Sequence, residues 1–323
     1  MSRACSAGWG AYVMSTIHWV LLALFAPFVA LYLRSPGRPG LAFAYARWAA
    51  LGLASAVVLA PFFWLLTAIF KDKSIFNEYI FLPPVSRWSA QTLNFSNFAE
   101  LFRGRPSVDG TVYFWQYVLN STVYATVSTV LQTFVASLGG YALAKYDFRG
   151  KGVFTMYMLG SMMVPGVLLL APLYKLVVDM HMVDSLPGLI VPWIANAYGV
   201  FLFRQACVSV PNEMLDAGRI DGCSELTIYF RLVMPLVRPM AAAFCLICFL
   251  QHWNAFFAPN VFLHSQKNFT LPIVLTMYVN DYHDTNYGVY LAGTAVAMLP
   301  PAVLFLALQR EFIRGLTSGA VKG

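Results

Sequence analysis

Charge is what this sequence lacks most. Only 11% of its 323 residues are charged, where soluble domains carry about 25%, and that deficit excludes a soluble fold of this length. No G-x-x-x-x-G-K-[ST] run occurs, so the chain has no phosphate loop with which to bind ATP. No Asp or Glu falls in the uncharged core of any long apolar run. Ion-coupled carriers and channels place carboxylates at membrane depth, so that absence argues against them. A membrane-embedded enzyme would need a cluster of His or acidic residues at the same depth, and none is present. The five cysteines, Cys5, Cys207, Cys223, Cys245 and Cys248, show no paired extracellular pattern. Cys245 and Cys248 stand at helical spacing in an apolar run and read as soft packing residues. No His or further Cys is spaced to complete a zinc site. No catalytic residue, metal or cofactor is therefore expected.

What is present is apolar length. Hydrophobic residues make up 59% of the chain. A membrane span needs about 20 mostly apolar residues, and the uncharged runs predict spans near 12–33, 46–70, 113–143, 153–176, 186–207, 236–263 and 288–310. Gly139, Gly140, Pro165, Pro172, Pro192, Pro300 and Pro301 fall inside them. Such residues are tolerated where neighbouring helices satisfy the freed backbone groups. The fold class is all-α, a polytopic helix bundle.

Basic residues orient it. The loops 34–47, 144–152, 204–238 and 310–323 hold 13 of the 21 Lys and Arg residues. The positive-inside rule puts these loops, and the C-terminus, in the cytoplasm. With seven spans the N-terminus lies outside. The net charge of +7 fits basic cytoplasmic loops and gives no reason to invoke nucleic acid. Two readings of the first run stay open, because Ser15, Thr16 and His18 precede its apolar part. It is a true span, or it is an interfacial or removed segment.

One charged, turn-containing stretch, Pro211–Met240, lies between two apolar runs. Asn212 is expected to cap a first helix, with Glu213 and Asp216 in its first turn. Ala217 and Gly218 make a small-residue surface there. Gly218 costs roughly 1 kcal/mol against Ala in a helix, so a close approach by another backbone is expected. Gly222 stands where a C′ stop belongs, and Ser224 and Glu225 open a second helix. A helix–turn–helix at a span junction offers a grip for a soluble partner. The alternative is an ordinary solvated loop.

This stretch resembles the cytoplasmic "EAA" loop of ABC-transporter permeases. The loop is 211–235, with Asp216-Ala217-Gly218 at the E-A-A position, then Asp221-Gly222, Phe230 and Pro235-Leu236. Asp for Glu, Gly for the second Ala and Cys223 for a frequent Ala are the departures. Gly140-Tyr141-Ala142-Leu143-Ala144-Lys145 and the tail from Gln309 to Gly323 look like those of sugar-importer permeases of the maltose-transporter (MalG-like) type, with the MetI-like fold. The likeness covers roughly residues 46–323. Residues 1–43 then form an extra hydrophobic segment, 44–112 the first family span and an extracytoplasmic segment, and 113–323 the permease core.

The resemblance implies a multi-pass protein of the prokaryotic inner membrane, in the lipid bilayer, that imports a carbohydrate. Its partners would be a second permease subunit, two cytoplasmic ATPase subunits and an extracytoplasmic solute-binding protein. Glu213, Asp216, Ala217, Gly218, Asp221, Gly222 and Phe230 would serve ATPase docking. Gly315, Thr317, Ser318, Gly319 and Lys322 would lie in a tail near the ATPases. The stretch from His264 to Tyr287, with Gln266, Asn268, Asn280, Asp281, Asp284 and Asn286, would face the binding protein, or else is a solvated loop. A polyol or a glycerol phosphate ester is the alternative cargo. Asn120, Asn196, Trp253 and Asn254 are the candidates for the substrate path, each with interhelical hydrogen bonding or packing as the plainer role.

Overall fold

The computed structural model describes residues 27, 30, 39–108, 110–280 and 287–320, with backbone alone for 39–41, 280 and 312–320. The span expected at 12–33 thus lies outside the described residues, apart from two isolated positions. The described residues up to Ala68, with Ile80–Leu82, form one compact unit. Its helix α1 (Pro39–Ala68) contains Pro61 without breaking there. Ala42–Ala68 is long and apolar enough to cross a membrane.

The second unit, residues 69–79 and 83–323, opens with α2 (Ser96–Phe102) and a small hairpin of β1 (Arg105–Ser107) and β2 (Gly110–Val112). The two strands pair antiparallel, with Pro106 opposite Thr111. The 32-residue α3 (Phe114–Lys145) follows. Its buried face carries Ser121, Ala125, Ser128, Gln132, Ala136 and Gly140. These small or polar residues recur every three to four positions, so they form one stripe along which other helices approach closely. At Gly140 the approach is extreme: a Cβ there would sit 2.6 Å from the backbone nitrogen of Arg204.

The rest of the unit is a series of broken helices. α4 (Lys151–Ser161) precedes α5 (Leu170–Asp179), then α6 (Leu186–Ile190) and α7 (Ala197–Val208). Next come α8 (Asn212–Ile220), α9 (Glu225–Ile228), a π turn over Tyr229–Val233, α10 (Met234–Leu236) and α11 (Arg238–Trp253). α12 (Phe257–Phe262), α13 (Leu271–Asn280) and α14 (Tyr287–Ala320) complete the described chain. Besides α1, the helices α3 and α14 pass as continuous spans. Three bent pairs pass the same test of length and apolarity only when their halves are taken together: Lys151–Ser161 with Gly166–Asp179 at 98°, Leu186–Trp193 with Ala197–Val208 at 49°, and Glu225–Leu236 with Arg238–Trp253 at 81°. The described residues therefore hold three candidate spans, or six if each bent pair is one.

The bends correct the expectation of continuous helices at 153–176, 186–207 and 236–263. Val164 precedes Pro165, and a residue before proline is pushed out of the helical region. The second bend follows Asn196, whose side-chain oxygen accepts from Gly199 N at 2.9 Å and starts α7 afresh. In the third, the break falls at Val237, and the helix from Arg238 ends at Trp253, well short of 263. Pro235 cannot donate to the Arg231 carbonyl and crowds it; the π turn just upstream accommodates that register change.

Pro300 and Pro301 behave differently, because α14 runs through both. Pro301 leaves the carbonyl of Ala297 without its helical donor. The indole N–H of Trp253 donates to that carbonyl at 3.0 Å. A neighbouring helix supplies the missing bond, and the helix continues.

At one end of the unit the loop before α6 is tied to the segment before α13. The Asp184 carboxylate accepts from the backbone N–H groups of His264 and Ser265, both at 2.9 Å, and from the Ser265 hydroxyl. Partial burial pushes the Asp184 carboxyl up, but the hydrogen bonds outweigh it and hold the group at about 2.

Candidate functional site

The helix–turn–helix forms as the punctuation predicts. Gly222 has φ +76°, the left-handed conformation of a helix stop. Gly222 N bonds to the Arg219 carbonyl and Cys223 N to the Gly218 carbonyl, both at 3.0 Å. That pair of bonds is the Schellman arrangement, and it satisfies the last carbonyls of α8. The Ser224 hydroxyl accepts from Thr227 N at 3.3 Å and caps α9.

Two local expectations need correction. Asn212 does not cap α8, since Pro211 takes the cap position without a side-chain bond. The Asn212 side chain instead accepts from Lys145 Nζ at 2.9 Å. Gly218 is not a surface residue. It is buried, and a Cβ there would lie 3.1 Å from Leu232 and 3.3 Å from Ile228. The close approach it permits is between the two helices of the same hairpin.

The inner side of the hairpin is core. Leu215, Ile228, Tyr229 and Val233 pack with Tyr141, Phe203, Cys207 and Val210. Burying each of the aliphatic side chains stabilises the fold by roughly 2 kcal/mol. Polar ties reinforce the seam with α3. Lys145 Nζ donates to the Val210 carbonyl at 2.5 Å, the Tyr229 and Ser137 hydroxyls lie 2.6 Å apart, and the Tyr146 hydroxyl donates to Glu225. Phe230 stacks on Phe134 of α3 at 6.5 Å.

Arg219 joins the hairpin's two helices. Its guanidinium lies 2.8 Å from Asp216 and 2.8 Å from Glu225. Arg219 first and the Tyr146 hydroxyl second hold the Glu225 carboxyl below its ordinary value, while the Glu225 and Asp216 carboxylates raise the Arg219 guanidinium. Asp216, placed by sequence at the partner-facing position, is thus engaged within the hairpin. Arg219 within the hairpin, and Lys145 and Tyr146 at the end of α3, brace it. The outer surface is bare: Ile220 is 86% exposed and Leu226 63%, with Glu213, Ala217, Asp221 and Gly222 exposed around them.

The four residues proposed for a substrate path do not converge. The Asn120 amide donates to the carbonyls of Lys267 and Phe269 at 2.8 and 3.0 Å, pinning the segment before α13. Gln266 and Asn268 belong to that segment, and the Asn268 amide also donates to the Asp184 carbonyl at 2.6 Å. Trp253 is buried, stacks on Phe249 and bonds to Ala297. Asn254 donates to the Leu250 carbonyl and lines, with Trp253, Thr294 and Pro301, a cavity of about 400 Å³. Asn196 opens on a different cavity of about 500 Å³, with Gln132, Gln251 and His252. Gln132 donates to the Trp193 carbonyl at 2.8 Å and accepts from Asn196 at 3.3 Å.

Of the tail, Gly315, Thr317, Ser318 and Gly319 fall on the last turns of α14, where only the backbone is described. Lys322, Asp281, Asp284 and Asn286 lie outside the described residues.

Residues 136–318 match the family model described as "Binding-protein-dependent transport system inner membrane component". The chain is 38% identical over 269 residues to the arabinooligosaccharides transport system permease protein AraQ of Bacillus subtilis (strain 168), covering 83% of this chain and 92% of that one. It is 32% identical to the lactose transport system permease protein LacG of Rhizobium radiobacter, over 85% of this chain and 95% of the other. Its fold superposes with a TM-score of 0.71, at 20% identity, on a chain in the crystal structure of a bacterial ABC transporter involved in the import of the acidic polysaccharide alginate, covering 84% of this chain and 96% of that one. The bent helices, the stopped hairpin at their junction and these likenesses agree: the chain belongs to the family of inner-membrane components of binding-protein-dependent transport systems, as an ABC-transporter permease.

Proposed function

We propose that this chain is one of two permease subunits that together form the path of a carbohydrate into the cell. Two ATPase subunits grip the hairpin Asn212–Leu236 from the cytoplasm, and an extracytoplasmic binding protein delivers the sugar. The observation that carries the reading is the asymmetry of the hairpin. Its inner side is fused to α3 and α7 through buried side chains and the Lys145 and Tyr146 ties, while Ile220 and Leu226 stand bare on its outer side. Exposed apolar residues among carboxylates are what a protein partner covers. A force applied there reaches the spans without first bending the hairpin.

ATP hydrolysis belongs to those partners in this reading, and the sequence has no phosphate loop. Lys145, Arg149 and Lys151 at the same end as the hairpin support a cytoplasmic placement of it and of the C-terminus. In this reading residues 1–43 remain an extra hydrophobic segment, 44–112 the first family span with an extracytoplasmic segment, and 113–323 the permease core. Closure of the ATPases would shift the population between inward-open and outward-open arrangements of the attached helices. The names of AraQ and LacG support a neutral sugar as cargo. The test is uptake of labelled saccharides into liposomes holding the assembled importer, with sn-glycerol 3-phosphate as competitor. ATP-dependent sugar uptake that the phosphate ester does not inhibit is expected; uptake of the ester alone would overturn the sugar assignment.

A further inference from the structure

Resting on that carbohydrate reading, we propose that the 500 Å³ cavity is a sugar-binding site of this subunit itself, with Gln251 as its selecting side chain. Two of the three broken spans end there. The break at Pro165–Gly166 contributes Val164 and Gly166, and the break before α7 contributes Trp193 and Asn196. Non-helical backbone at membrane depth persists only where protein covers it or where it lines a water-filled cavity. Gln132 holds the second break in place from inside, through the Trp193 carbonyl and the Asn196 amide.

The remaining groups are uncommitted. Gln251 is exposed near the end of α11, after a run of apolar residues, and its amide bonds to no other described residue. An amide facing lipid is costly, so this face of α11 borders water or ligand. Trp193 Nε1 and His252 Nε2 are buried without a partner among the described residues. The other imidazole nitrogen of His252 lies 3.2 Å from the Tyr124 hydroxyl, which fixes the ring. A sugar hydroxyl both donates and accepts, so it satisfies an indole N–H, an imidazole nitrogen and an amide alike. The rings of Trp193 and Tyr198 add flat apolar faces to the lining. Among the described residues no Lys, Arg, Asp or Glu lines the cavity, and a phosphate ester would need a fixed cation. The chemistry therefore selects a neutral, polyhydroxylated ligand, and the volume is that of a small-molecule pocket.

The test uses the complete importer, this chain with its partner subunits, in liposomes. Uptake of labelled neutral di- and trisaccharides is measured beside binding-protein-stimulated ATP hydrolysis. For Gln251→Leu the expected result is an uptake lowered about tenfold, the loss of one good hydrogen bond, with stimulated ATP hydrolysis at the wild-type level. Uptake unchanged in Q251L overturns the proposal, and so does uptake that falls together with ATP hydrolysis. If Q251L does not assemble, Gln251→Ser is held to the same two readouts. A wild-type importer that takes up no saccharide overturns the carbohydrate reading, and this site with it. That outcome is distinct from a wild type that imports and a Q251L that imports equally well.

Discussion

At the hairpin, Lys145, Tyr146, Arg219 and Glu225 are bonded within their own chain. Around the 500 Å³ cavity, Trp193 and His252 bury polar atoms without a partner among the described residues, and Gln251 makes no bond at all there. Both regions are polar islands in an apolar protein, but the bilayer penalises only polar groups left unpaired at membrane depth. On the two proposals, the difference follows from what each would do. A lever transmits force only if its parts do not move against each other, so its polar groups are satisfied internally. A binding site keeps hydrogen-bonding capacity in reserve for what arrives.

The largest effect is expected at Gly222. Its φ of +76° strains any L side chain, but a Cβ there meets nothing within 4 Å. Strain and bulk are therefore separable. Gly222→Ala adds only the strain, about 1–2 kcal/mol, and uptake should be reduced but measurable. Gly222→Trp adds bulk that no part of its own chain opposes, and uptake should vanish while the protein stays in the membrane. Equal uptake by the two variants would remove Gly222 from the docking surface and leave it as a helix stop alone.

A smaller effect tests the stiffness of the lever. Glu225→Gln removes the carboxylate that Arg219 and Tyr146 share, in an exposed cluster whose ion pairs add little to overall stability. The expected loss is in coupling: less sugar moved per ATP hydrolysed, with the ATP hydrolysis rate held. Full coupling in E225Q would mean that the packing of Leu215, Ile228 and Tyr229 suffices to hold the hairpin.

The hairpin was legible because its signals are local. Pro211, Gly222 and Ser224 dictate backbone conformation within a few residues, and the structure places the stop and the second cap where spacing put them. What spacing could not supply was direction. Asp216 and Gly218 sit at the positions expected to meet a partner, yet one bonds Arg219 and the other packs on Ile228, because helical phase relative to a second helix is a tertiary property. The prolines teach the same lesson. Pro165 and Pro301 look alike in an apolar run, but one ends a helix and the other does not. The deciding residue for Pro301 is Trp253, which is 48 positions away and which the sequence alone offers only as a substrate-path candidate. The cavity was equally hidden, since its lining comes from four separate stretches. The stripe of small and polar residues on α3 was the available signal that this helix is central.

That account of Pro301 sharpens the line between committed and reserved groups. Trp253→Phe keeps the ring stacked on Phe249 but leaves the Ala297 carbonyl unsatisfied, and should lower stability by about 1–3 kcal/mol, read as a fall in unfolding temperature in detergent. Pro301→Ala restores a backbone donor four residues on from Ala297. The double variant should therefore recover much of the loss. Additive losses in the double variant would show that the Trp253 bond does not answer to Pro301.

The smallest effect concerns a third polar cluster, also fully committed. Asp184 is held at about 2, below its ordinary 3.8. A carboxyl whose folded value is depressed contributes stability that is complete above the unfolded value and is lost as pH falls through the folded one. The contribution of Asp184 is therefore complete above about pH 4 and disappears only towards pH 2. The difference in unfolding temperature between the wild type and Asp184→Asn should be the same at pH 7 and pH 5. A difference that shrinks already at pH 5 would mean the bonds from His264, Ser265 and Asn268 do not hold the carboxylate. The tie between the loop before α6 and the segment before α13 would then be as loosely committed as the groups around Gln251.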